Sequence, residues 1–262
     1  MWHTIFFQPL LNGLIFTYNL VGHNLGFAII GITLLIRGLL TPLTLPSLKS
    51  SQKMKELQPE LNKLKEKYGS DKQTFAKKQL ELFKKHGVNP AAGCLPQIVQ
   101  LVILIALYQA FNLVLKADGN LVANLNQVLY PSLQVPQDFV LNTKFLYLNL
   151  AKPDLFIIPG IKLGSLTLNK LPGIFLILAA LVQFLSSKKM MPSAKAKEKL
   201  ADKTKTQTDD FASSMQTQML YLFPLMTLFI GFRFPSGLIL YWLTFSLIML
   251  VQQLILTHGK KN

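Results

Sequence analysis

The chain has 262 residues, half of them hydrophobic, and carries 27 Lys and Arg against 12 Asp and Glu for a formal net charge of +15. With a mean hydropathy of +0.36 it is too apolar for a soluble domain and reads as one integral membrane unit. A single cysteine, Cys94, excludes an internal disulfide and a multi-cysteine metal site; four scattered histidines and the lack of HExxH, GxSxG or glycine-loop motifs leave no catalytic residues, metal or cofactor to expect.

Residues 1–24 come first as an amphipathic segment without the basic start and small-residue cleavage site of a signal peptide. Thr4, Gln8 and Asn12 form a polar line at i+4 spacing, which favours a helix lying in the membrane interface; a spanning helix is the alternative.

The run 25–48 predicts the first transmembrane helix, since 24 residues at about 1.5 Å each cross a hydrocarbon core of roughly 30 Å. Arg37 stands near its middle, where a guanidinium costs about 2.5 to 3.5 kcal/mol on insertion scales. Thr33, Arg37, Thr41 and Thr44 share one helix face. Every acidic residue lies outside the apolar runs, so Arg37 has no carboxylate mate within the membrane. Two readings follow: a hydrated functional site for something the protein does not itself carry, or a structural arginine bonded to backbone carbonyls.

Residues 49–87 follow as a helical hairpin. The stretch 47–87 holds eleven Lys against five acids, which predicts a cytoplasmic location. Leu57, Leu61 and Leu64 recur at helical spacing, as do Phe75, Leu80 and Phe83 in their own registers, with a break at YGSDKQ. The lysines are either a solvated face or a surface for anionic head groups or ribosomal RNA. No DNA partner is expected.

The second span, 92–115, carries Gln97 and Gln100, and glutamines in lipid usually bond across helices. Residues 116–170 hold only five Lys and three Asp and are expected to form an outer loop. The third span, 171–187, contains Gln183 and Ser186, and is followed by a basic cytoplasmic loop, 188–214. The fourth span, 215–232, has a methionine set read chiefly as adaptable packing. The fifth, 238–256, leads to a short basic tail, 257–262. Five spans with the basic segments inside put the amino terminus outside and the carboxyl terminus in the cytoplasm.

Laid out together, TLLIRG (33–38), LQPELNKLKEKYG (57–69), KKHGVNPAAGCLPQIVQ (84–100), FLYLNLAKPD (145–154), FPSGLILYW (234–242) and QQLI (252–255) resemble the YidC/Oxa family of membrane protein insertases. The resemblance covers nearly the whole chain from Leu25 onward, in the right order. It implies an all-α fold in a bacterial cell membrane, with five transmembrane helices around a hydrophilic groove open to cytoplasm and lipid. It also implies that Arg37 receives substrate in that groove, that Thr33 matches a groove position one turn earlier, and that Tyr241 and Trp242 match an aromatic pair contacting the passing segment. The hairpin corresponds to the family's substrate-recruiting element. Thr41, Gln97, Gln100, Gln183 and Ser186 complete the expected groove set. Some members have a glutamine pair where Ser186 and Ser187 stand, so polarity from the third helix is expected to shift to Gln183. Members often have proline where this chain has Val102, and the loop after AKPD is longer than usual.

The implied function is insertion of nascent membrane proteins into the bilayer, with the ribosome and the general secretion channel as further candidate partners. Two rivals come from other classes. A small transporter or channel would use Arg37 as an anion site, but no internal repeat or coupling carboxylate supports it. A ribosome or chaperone receptor would explain the lysines and leave Arg37 unexplained.

Overall fold

The computed structural model describes residues 1–89, 95–115, 120–163, 166–190 and 210–258, and it is mostly helical. A short π-helical turn, His3–Phe7, runs into α1 (Gln8–Leu20); α2 (Leu25–Glu56), α3 (Gln58–Tyr68), α4 (Lys72–Lys85), α5 (Leu95–Leu115) and α6 (Leu121–Asn126) follow. After a 3-10 turn at Pro131–Leu133 come two antiparallel ribbons, β1 (Lys144–Phe145) with β2 (Leu148–Asn149) and β3 (Leu155–Leu163) with β4 (Leu166–Pro172). The chain then forms α7 (Ile174–Met190), α8 (Asp210–Gly231) and α9 (Ser236–His258). Strands are the exception to the expected all-α fold. They fall in the segment read from sequence as a loop, where β-branched residues and leucines alternate poorly with polar ones.

Two helices, Leu25–Glu56 and Ser236–Leu256, are long and apolar enough to cross a membrane; Ile98–Val114 and Leu220–Gly231 are shorter apolar helices. Helix α2 begins on Asn24, whose side chain accepts from the Gly26 and Phe27 amides, satisfying two orphan donors of the first turn. Its end lies beyond the predicted 48. Pro42 and Pro46 sit inside it and remove the N–H partners of the Gly38 and Pro42 carbonyls without ending the helix. Gly26 lets this helix approach the β1 ribbon closely, because a Cβ there would stand 2.1 Å from the Phe145 ring.

The hairpin forms as α3 packed on α4. Its seam is Leu57, Leu61, Phe83 and Val88, all buried, with Met54 and Leu82 alongside. Leu64 and Phe75 are half-buried, but Leu80 is 53 % exposed. Leu80 therefore leaves the predicted seam, and Val88, at helical spacing with Phe75 and Leu82 in the sequence, closes it from beyond the end of α4. The reason is the end of α4: Gly87 at φ 63° turns the chain back, Val88 N–H reaches the Phe83 carbonyl and Gly87 N–H that of Lys84. This is a Schellman closure, whose hydrophobic contact pairs those same two residues.

The polar line of the amino-terminal segment has a partner within the protein. Gln8 and Asn12 both donate to the Val128 carbonyl, and Asn12 Oδ1 accepts from the Tyr130 amide at 2.7 Å. Helix α1 is bonded to the region after α6, while Leu11, Leu14, Ile15 and Tyr18 are buried against α2 and α5.

Helix α7 starts at Ile174 rather than 171, since Leu171 and Pro172 still pair in β4. Buried Asp154 fixes its start. Asp154 Oδ2 accepts from the Leu176 amide, Oδ1 from the Tyr147 hydroxyl, and its carbonyl from Gly173 N–H, placing a carboxylate at the positive end of the helix. Helices α8 and α9 begin at Asp210 and Ser236, a few residues ahead of the expected 215 and 238. The largest core joins α1, α2, α5 and the amino-terminal half of α9; a second joins α7 and α9 through Leu176, Ala179, Ile239 and Leu243.

Candidate functional site

Arg37 is a buried charged residue of α2, and α5 and α9 pack against that helix. Its side chain is 3 % exposed, with Cζ 3.9 Å from the centroid of the Phe245 ring on α9. Among the described residues its Nε and Nη2 have no hydrogen-bond partner. The ring of Phe245, which the sequence reading did not name, lies against the guanidinium.

The threonines of that face do not supply acceptors to the arginine in the way their spacing suggests. Thr33 donates to Ile29 O at 2.5 Å, Thr41 to Arg37 O at 2.6 Å and Thr44 to Leu40 O at 2.9 Å. These bonds back onto the preceding turn, as hydroxyls do inside helices. Thr41 has a second bond, accepting from Gln252 Nε2 of α9 at 2.9 Å.

Gln100 of α5 and Tyr241 of α9 complete the cluster. Both are buried, and the Gln100 amide and the Tyr241 hydroxyl lack partners among the described residues. Tyr241 lies within electrostatic range of Arg37 and within reach of Gln100. Gln252 Oε1 and both polar atoms of buried Gln253 are likewise unpaired. Buried polar groups are ordinarily bonded, because an unmade bond costs about 1–3 kcal/mol each. Arg37, Gln100, Tyr241, Gln252 and Gln253 thus bring several such groups onto α2, α5 and α9. Further along α2, a shallow cavity is lined by Leu48, Ser51, Gln52, Lys55, Lys189 and Gln253, with Lys55 Nζ donating to Lys189 O at 3.0 Å.

Other expected site residues fall apart from this cluster. Gln183 accepts from the Thr227 hydroxyl at 2.5 Å, tying α7 to α8, and Ser186 donates to Ser246 O on α9 at 3.3 Å. Trp242 is half-buried, and as the neighbour of Tyr241 it points about 100° away around α9. The side chain of Gln97 lies outside the described residues, as do the loop and tail over 191–209 and 259–262. Sequence reasoning missed Phe245, Gln252 and Gln253. Tyr241, Phe245 and Gln252 stand at i, i+4 and i+11, the spacing of Thr33, Arg37 and Thr44, and that shared period was the available signal.

A mostly helical chain with two helices long and apolar enough to cross a membrane is consistent with an all-α membrane protein. The model of the 60Kd inner membrane protein family matches residues 16–262, and the chain belongs to that family. It is 38% identical over 230 residues to the membrane protein insertase YidC of Fusobacterium nucleatum subsp. nucleatum, covering 88% of this chain and 84% of that one. It is 31% identical over 260 residues to the membrane protein insertase YidC of Oceanobacillus iheyensis, covering 98% and 83%. It is also 34% identical over 243 residues to membrane protein insertase YidC 1 of Streptococcus pyogenes serotype M1, covering 91% and 68%.

Proposed function

We propose that this protein is a membrane protein insertase of a bacterial cell membrane, accepting nascent membrane proteins from the cytoplasm and releasing them sideways into lipid. The observation that carries the reading is the Arg37 cluster, with charge and unpaired donors and acceptors held inside an apolar bundle. In this account α2, α5, α7, α8 and α9 are five spans around a hydrophilic groove. The amino terminus is outside, the carboxyl terminus is in the cytoplasm, and the α3–α4 hairpin recruits substrate there. The substrate's own apolar segment drives the reaction, gaining roughly 25 cal/mol per Å² on leaving water. No bond is made or broken and no nucleotide is needed. The barrier is the polar tail that must cross. A polar cavity at mid-depth shortens the dry distance, and the membrane potential assists an acidic tail by about 2.3 kcal/mol per charge per 100 mV. The ribosome and the general secretion channel are candidate partners for delivery.

The test is protease protection of a single-span substrate whose translocated tail is acidic, neutral or basic, in wild type, Arg37→Ala and Arg37→Glu. Both variants should lose acidic tails first, and Arg37→Glu should lose them more severely while the protein stays folded. Equal loss for every tail, together with loss of the protein itself, would make Arg37 structural.

A further inference from the structure

The guanidinium of Arg37 offers two surfaces, and the fold treats them differently. Its Cζ lies over the Phe245 ring, 3.9 Å from the centroid, close enough for the planar group to pack against the ring face. Its side edge, made by Nε and Nη2, is buried and unpaired among the described residues. On that edge two N–H bonds run parallel, the fork that takes both oxygens of a carboxylate.

We infer that Phe245 is a positioning residue: stacking fixes the plane of the Arg37 guanidinium so that its Nε–Nη2 edge stays open to take one substrate carboxylate side-on. An aromatic ring suits this task because its electron-rich face attracts the cation while offering no lone pair in the plane of the N–H bonds. A carboxylate or amide at 245 would hold the arginine equally well and occupy the fork. The neighbouring polar groups leave the fork free too. Thr33, Thr41 and Thr44 donate to carbonyls of their own helix and Thr41 also accepts from Gln252, and none of them, nor nearby Tyr241 and Gln100, is bonded to Nε or Nη2. Without the ring, the side chain gains rotamers, and an edge-on fork becomes one orientation among several. The charge would survive that change; the aim would not. The inference rests on the reading that acidic segments pass Arg37, and adds that a planar, two-oxygen acceptor is preferred there and that a residue on α9 sets the preference.

The experiment uses the full chain in proteoliposomes and a single-span substrate whose translocated tail carries either one Asp or one Asn. Initial insertion rates are read by protease protection in wild type, Phe245→Leu, Phe245→Tyr, Arg37→Ala, Arg37→Lys and the Arg37→Lys/Phe245→Leu pair. Phe245→Leu should slow the Asp tail by roughly three- to thirtyfold, the range of a partly to fully desolvated cation–π contact. The Asn tail should change by less than about twofold on the same scale, which also controls for folding. Phe245→Tyr, which keeps the ring face, should restore most of the Asp-tail rate. In the Arg37→Lys background, which has no fork, Phe245→Leu should add almost nothing. Equal slowing of both tails, no slowing, or a tyrosine variant as poor as the leucine one would overturn the inference. If Arg37→Ala treats both tails alike, the electrostatic reading fails and this inference with it; if Arg37→Ala discriminates and Phe245→Leu does not, only the positioning role falls.

Discussion

Gln183 and Thr227 illustrate how a polar residue in an apolar helix can be structural. The Thr227 side chain is fully buried and its hydroxyl also donates to Phe223 O at 3.0 Å, so the hydroxyl is shared between its own helix and α7. Gln183, expected as a groove residue, has in Thr227 a partner that ties α7 to α8. Thr227→Val should therefore lower stability by about 1 kcal/mol, in the range of interhelical bonds in membranes, by stranding the glutamine oxygen. Adding Gln183→Leu should recover part of that loss, since removing both polar partners costs less than orphaning one. Equilibrium unfolding of the purified protein in mixed micelles measures it, and a double variant weaker than the single would show that the glutamine has another role. Arg37 contrasts with this pair. Its placement was legible in the sequence because charge inside an apolar run has few explanations, whereas its stacking partner was not, because one phenylalanine among 18 carries no mark of its own.

At the scale of elements, the α3–α4 hairpin tests what periodicity can and cannot supply. Helical spacing located both helices and their apolar positions, while the turn after α4 brings Val88 onto Phe83 and Leu80 stays outside the seam. Leu61→Ala should destabilise the hairpin by about 2 kcal/mol, at the low end for core truncations because the cluster is small; Leu80→Ala should be nearly neutral. Amide exchange of the full-length protein distinguishes them, and faster exchange in the Leu80 variant would return that residue to the seam. The start of α4 adds a pH dependence. Asp71 accepts from the Thr74 hydroxyl at 2.6 Å and from the Thr74 and Gln73 amides. Together they hold its carboxyl below the ordinary range, the Thr74 hydroxyl contributing most. A depressed folded value means the cap stabilises α4 above the unfolded carboxylate pKa of about 3.9, and that the contribution disappears as pH falls through the lower folded value. Protection factors for the first turn of α4 should accordingly be steady near neutrality and fall in acid. Asp71→Asn should keep the cap and flatten the profile, and a profile unchanged by that substitution would assign the acid sensitivity to another group.

For the whole molecule, orientation follows from where the lysines are, and the fold adds which surfaces a reagent can reach. In a Cys94→Ser background, Gln137→Cys on the exposed loop after α6 should react with an impermeant thiol reagent in intact cells. Ser70→Cys between α3 and α4 should react only after the membrane is opened; labelling of Ser70→Cys from outside would reverse the proposed topology. Both positions are exposed in the fold, so failure to react would report the membrane rather than burial.

Composition and pattern determined the class of this protein by themselves. Long apolar runs, a central arginine without a carboxylate and lysines gathered between particular runs are local facts, and the physics of moving charge through hydrocarbon makes them decisive. Tertiary structure alone decided which polar residues come together around Arg37 and which bond across other helix pairs. Gln100, Tyr241 and Arg37 meet because α5, α9 and α2 converge, while Gln183 and Ser186, equally polar in sequence, are spent on Thr227 and Ser246. The capture of Gln8 and Asn12 by the region after α6 belongs to the same class. Their hydrogen bonds span 120 and 116 positions along the chain, and no local pattern of residues encodes a partner that distant.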